Sequence, residues 1–184
     1  GSLGDIYAHG GGTGGYITFA GFVKETGRGV VVLTNSGSSN SDDIGIHLLD
    51  PQSPLQEVKP DYSYAIRQMI DKDGPAGLME KYKTLKAENP GKYTLDEDAI
   101  NTLGYAYLSQ EKVEAAKAVF GINVMEFPNS SNAYDSYGEA LMIQGQKEEA
   151  IVYYQKSLEL NPANSNAVAM LAKMGVEVKQ EEII

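Results

Sequence analysis

The stretch richest in residues that could do chemistry is Ala8-His9-Gly10-Gly11-Gly12-Thr13-Gly14-Gly15-Tyr16, which holds one of the two histidines of the 184-residue chain. Each glycine weakens a helix or strand by roughly 0.5–1 kcal/mol relative to alanine, so a run of them implies a use for bare backbone. Unobstructed N–H groups can face a phosphate or the oxyanion of an acyl-transfer intermediate. Gly10-x-Gly12-x2-Gly15 formally matches a dinucleotide fingerprint, but that fingerprint must open a helix and the next residues read as a strand. No Gly-Lys-Ser/Thr follows, which excludes a Walker-type phosphate loop.

The elements around the glycines are β-like. A short Asp5-Ile6-Tyr7-Ala8 strand precedes them, and Tyr16–Val23 reads as a strand covered on both faces. Lys24–Gly29 is a polar turn, and Val30–Asn35 is a β-branched run ended by Asn35-Ser36-Gly37. The expectation is a three-stranded antiparallel meander. A helix follows from Ser41, its N-cap, to Leu49, with Asp42 and Asp43 in the first turn where the dipole favours them. Pro51, Pro54 and Pro60 mark residues 51–60 as a stiff, extended linker.

In this setting His9-Gly10-Gly11 is similar to the Lys/His-Thr/Gly-Gly triplet of the serine β-lactamase and penicillin-binding-protein family, in its class C and esterase-like branches. Thr13-Gly14-Gly15-Tyr16 resembles the turn after that triplet. Tyr16–Val23, Val30–Asn35 and Ser41–Leu49 resemble the last two strands and closing helix. The resemblance implies that residues 1–50 are the C-terminal piece of such a hydrolase, acting on a β-lactam, a D-Ala peptide or an ester. It implies a site edge at His9 and Gly11 and an oxyanion N–H at Gly12, without a cofactor, and a bacterial periplasmic or cell-envelope parent. The family's Ser-x2-Lys nucleophile has no counterpart; Tyr62-Ser63-Tyr64 and Ser130-Ser131-Asn132 stand in the wrong context. This chain alone is therefore expected to be inactive. The run His9–Gly12 is also similar to the oxyanion loop of lipase-type α/β-hydrolases, but no Gly-x-Ser-x-Gly elbow accompanies it.

Beyond the linker the hydrophobic period lengthens to that of helices. Tyr62–Lys72 and Pro75–Ala87 read as two helices, forming a degenerate hairpin over 61–89. A repeat of 34 residues then pairs Ile100 with Tyr134, Leu103 with Tyr137, Gly104 with Gly138, Tyr107 with Leu141, Ala116 with Ala150, Phe120 with Tyr154 and Pro128 with Pro162. This resembles the tetratricopeptide repeat. It predicts repeats at 96–129 and 130–163 and a capping helix at 164–175, with 179–184 frayed. The fold class expected is thus α+β: a meander plus helix, then an all-α repeat solenoid. Glu111 stands where the second repeat has Gly145, which weakens the first repeat's turn.

Tyr107, Tyr134, Tyr137 and Tyr154 fall on core positions of the repeat. The first helix of each repeat turns another set toward the concave side: Asp98, Asn101, Tyr105 and Leu108, then Asn132, Asp135, Glu139 and Met142. Such polar rows hold peptides in solenoids. Docking of the parent's own hydrolase domain, or a merely solvated face, are the alternatives. The chain as a whole could equally be an interaction module with a non-catalytic β remnant.

The net charge of −10 argues against nucleic acid or an anionic membrane as partner. There is no cysteine, and two isolated histidines make no metal site; His47 is expected to be exposed or packed. The Gly-Ser start reads as a cloning remnant. The sparse core of the meander predicts that residues 1–50 seek cover, as a homodimer or against the repeats.

Overall fold

The structure is a computed structural model that describes residues 4–13, 16–34, 41–55 and 59–178. The expected Gly14-Gly15 turn, the Asn35-Ser36-Gly37 strand ending and the tail at 179–184 lie outside the described residues. Two compact units divide the chain at 58/59.

In the first unit, β1 (Ile6–Thr13), β2 (Tyr16–Val23) and β3 (Arg28–Thr34) form an antiparallel sheet in sequence order, followed by α1 (Ser41–Leu49). The register pairs Ile6 with Val23, His9 with Ala20 and Gly12 with Ile17, and Ala20 in turn with Val31. Side chains alternate along a strand, so Phe19, Gly21 and Val23 share one face, and that face is buried. Phe19, Val23 and Leu49 are its core, with Ile6, Val30, Val32 and Ile46 packed around them. The close approach of α1 depends on Gly45: a Cβ there would lie 2.0 Å from the Phe19 ring.

The opposite face differs from expectation. Instead of being covered on both sides, the sheet leaves Tyr7 and Phe22 half-exposed and Val31 67% and Leu33 76% exposed. The physical reason is that, among the described residues, this unit has one helix and two apolar sheet faces. The linker also departs from a fully extended path. Ser53 N–H bonds the Asp50 carbonyl at 2.9 Å, and His47 Nδ1 lies 2.7 Å from the Ser53 carbonyl, so residues 51–53 fold back onto the end of α1.

The second unit is helical: α2 (Tyr62–Asp73), α3 (Leu78–Glu88), α4 (Glu97–Leu108), α5 (Val113–Glu126), α6 (Ser131–Ile143), α7 (Lys147–Leu160) and α8 (Ser165–Lys173). Pro75 falls three residues before α3 rather than in its first turn, because Gly77 at φ 67° turns the chain immediately before Leu78. One continuous core runs through Ile66, Tyr82, Ile100, Val119, Phe120 and Ile122, and a second through Leu141, Tyr154 and Leu171. Tyr107 and Tyr154 are buried as the repeat predicts. Tyr134 and Tyr137 are only half-buried, and their rings lie 6.0 and 4.5 Å from that of Tyr153.

Helix caps repeat with the helices. Asp96, Ser130 and Asn164 begin α4, α6 and α8, and each side chain accepts a hydrogen bond from a first-turn N–H. The turns inside the repeats are also matched. Lys112 N–H bonds the Tyr107 carbonyl at 3.0 Å and Gln146 N–H the Leu141 carbonyl at 2.9 Å, closing left-handed helix ends at Glu111 (φ 59°) and Gly145 (φ 76°). Glu111 thus keeps the glycine conformation without being glycine. Holding a side chain there costs about 1–2 kcal/mol, against roughly 0.5–1 kcal/mol of extra chain entropy for glycine. Glu111→Gly is therefore expected to stabilise the helical unit by about 0.5–1 kcal/mol, read as a higher urea midpoint at unchanged slope.

Candidate functional site

Helices α4, α6 and α8 are joined along one face by side chains reaching from each to the next. Tyr105 on α4 donates its hydroxyl to Glu139 on α6 at 2.9 Å, across 34 residues, and lies 3.3 Å from Ser136 Oγ. Glu97 at the start of α4 accepts from Ser130 Oγ, and Asn132 Nδ2 lies 3.5 Å from the same oxygen. Asp135 on α6 accepts from Asn164 at 2.9 Å and from Asn166 at 2.7 Å, one amide on each carboxylate oxygen. Ser130 and Asn164 therefore cap a helix and tie it to the helix one repeat earlier.

The eight residues expected to line a concave face are thus placed as follows. Tyr105, Asn132, Asp135 and Glu139 take part in these bridges. Asp98 is exposed in the first turn of α4. Asn101 is partly buried, and its Oδ1 is enclosed without a hydrogen-bond partner among the described residues. Leu108 and Met142, further along the same helices, are partly buried against the apolar cores. Glu97, Ser136, Asn164 and Asn166 join the row without being among the residues expected from the repeat offsets. The signal was available for the last: Asn166 lies one repeat beyond Asn132, itself one repeat beyond Asp98.

Electrostatics at this face raise the Tyr105 hydroxyl. Burial pushes it up, the hydrogen bond with Ser136 lowers it and the Glu139 carboxylate raises it, leaving it at about 12. Tyr82 and Tyr154 are also pushed up, first by burial. A tyrosine whose folded pKa exceeds its unfolded value keeps its contribution at neutral pH and below. It loses that contribution as pH rises from about 10 through the folded value. Stability is thus expected to fall between about pH 10 and 12. An alkaline absorbance titration of Tyr105→Phe should lack one late-ionising phenol.

The residues expected at a hydrolase-like edge lie on β1. His9 is exposed opposite Ala20, on the same uncovered sheet face as Tyr7 and Phe22, whose rings stack at 5.3 Å. With Gly29 and Val31 these residues line a shallow depression of about 530 Å³. No side-chain hydrogen bond reaches His9 from a serine or carboxylate among the described residues. Gly11 faces Thr18, whose hydroxyl donates to its carbonyl at 3.3 Å, and Gly12 pairs with Ile17. Gly10 and Gly12 of the fingerprint lie inside β1, and the next described element is a strand, β2, not a helix. Among the described residues no three ligating side chains cluster, and no helix is long and apolar enough to cross a membrane.

The 34-residue spacing, the capped first helices and the close crossing of α6 on α7 at Gly138 have a counterpart among known families. Residues 131–164 match the tetratricopeptide repeat family. The matched repeat comprises α6, α7 and the loop to α8. No curated protein matches the chain. Among solved structures, the second tetratricopeptide domain of human RPAP3, in complex with the HSP70 peptide SGPTIEEVD, is similar over 61% of this chain and 91% of that one, at 21% identity and TM-score 0.42. The first such domain of Spaghetti (RPAP3), bound to the HSP90 peptide SRMEEVD, is similar over 65% and 96%, at 19% identity and TM-score 0.43. MamA is similar over 60% and 64%, at 21% identity and TM-score 0.40.

Proposed function

We propose that the helical unit is a protein-interaction module that holds an extended segment of a partner protein along the face of α4, α6 and α8. The observation that carries this is the row of polar groups between successive first helices: Tyr105 with Glu139, Glu97 with Asn132, and Asp135 with Asn166. The tetratricopeptide match at 131–164 supports it, since such repeats pack apolar second helices behind and leave the first helices to meet a ligand. A photo-crosslinking amino acid at Tyr105 tests it against one at Val152, an exposed position on the second helix α7. Covalent capture of a partner peptide from Tyr105 alone is the expected result; equal capture from both positions would contradict it.

A second reading treats the sheet unit as the C-terminal part of a β-lactamase-related serine hydrolase, with the repeats presenting a partner or substrate to the parent enzyme. The antiparallel order β1-β2-β3 followed by a helix packed on one face supports it, as does His9 standing exposed on the other. On this reading the present chain turns over neither nitrocefin nor a p-nitrophenyl ester, for want of a nucleophile. A longer parent does, and loses that activity on His9→Ala. An inactive parent that carries Ser-x2-Lys would overturn it.

A further inference from the structure

Charge on the groove is uneven. On α4 and α6 its charged residues are all acidic: Asp98, Asp135 and Glu139, with Glu97 at the rim. The 34-residue offset extends the same rows to α2 and α8. There Arg67 stands one turn from Asp71, and Lys173 occupies the place of Tyr105 and Glu139. The cations of this face are thus at its two ends, the first beside a carboxylate, and its middle has none.

Hydrogen-bonding capacity is uneven in the same direction. Asp135 is satisfied by Asn164 and Asn166 and acts as a strut. Among the described residues Glu139 receives one side-chain bond, from Tyr105, and a carboxylate can accept about four. Asp98 is exposed, and its carboxylate takes no side-chain hydrogen bond among the described residues. Asn101 Oδ1 also lacks a donor among the described residues, but it is enclosed and so is not offered to a partner. The middle of the groove therefore offers acceptors in excess of donors. An ammonium or guanidinium group brings donors only and a positive charge. An acidic segment would bring like charge and leave those acceptors unpaired.

From this we propose that the groove takes a lysine- or arginine-bearing segment of the partner, its cationic side chain seated on the Glu139 carboxylate, with Asp98, two helical turns along α4 from Tyr105, adding to the same negative field. The inference rests on the reading that this face binds a partner, and it adds the partner's chemistry. Random heptapeptides displayed on phage and selected on the intact chain test both levels. The counter-selection uses an Asp98→Asn/Glu139→Gln variant, which keeps hydrogen-bonding side chains and removes two charges.

Enriched peptides carrying lysine or arginine are expected. Their affinity should fall about tenfold in the double variant, as for two weakened ion pairs. It should fall several-fold again between about 0.05 and 0.5 M salt as screening shortens. Circular dichroism of the variant should stay unchanged. Enriched peptides without a cationic bias, lost on Tyr105→Ala, would overturn the charge assignment while leaving the groove in place. Binding insensitive to both variants, or no enrichment, would overturn the groove reading as well.

Discussion

Gly104→Ala is expected to destabilise the helical unit by about 2 kcal/mol, while Gly138→Ala, at the same point of the next repeat, stays near neutral. Both glycines sit inside a first helix, where alanine alone would gain about 1 kcal/mol in propensity. Packing decides the sign. A Cβ on Gly104 would lie 2.3 Å from Cε1 of Phe120, a side chain with no exposure and core on every side. The ring has nowhere to go, so α4 and α5 must separate, and overpacking of this kind costs roughly 1–3 kcal/mol or somewhat more. A Cβ on Gly138 would meet the Tyr154 ring at 3.2 Å, a contact a few tenths of an ångström of movement relieves. Denaturant melts of the two variants side by side check this. Equal losses would mean that the two crossings are not packed as described.

Phe19→Ala is expected to dismantle the sheet unit while the helices stay folded. Among the described residues the buried core of that unit is Phe19, Val23 and Leu49, and Phe19 fills the gap that Gly45 and Gly21 leave open for it. Removing a buried phenylalanine costs about 3–5 kcal/mol in an ordinary core, and a core of three buried side chains has little in reserve. Hydrogen exchange separates the outcomes. Amides of β2 should lose protection in the variant, and those of α4 to α7 should keep theirs. Retained protection in β2 would show that the sheet draws its stability from elsewhere.

The helical repeats were legible because their constraints recur. Seven coincident pairs at one offset fixed both helices of each repeat, and Glu111 already stood out as the one place where the turn residue broke the rule. The helix caps were harder to see. Asp96, Ser130 and Asn164 do the same work with three different residue types, so identity matching passes over them although the chemistry repeats. The bridges from Ser130 and Asn164 back to the preceding repeat were hidden for that reason, and with them half of the polar row along α4, α6 and α8.

In the sheet, β-branched runs marked the strands, but they could not say which face is covered. Both faces carry apolar side chains, Phe19 and Val23 on one and Phe22 and Val31 on the other, so alternation held no inside and no outside. The choice is made by Gly45 on α1, whose bare Cα admits Phe19. A single glycine in a short helix reads as a weak helix former rather than as a socket.

A partner segment is proposed to lie along the α4–α6–α8 face. Backbone amide shift mapping of the isotope-labelled chain, titrated with a phage-selected lysine-bearing peptide, tests it most directly. The largest shifts are expected at Asp98, Asn101, Tyr105, Asn132 and Glu139, with α5, α7 and the sheet nearly unmoved. Shifts concentrated on the second helices α5 and α7, or on β1 and β2, would contradict it.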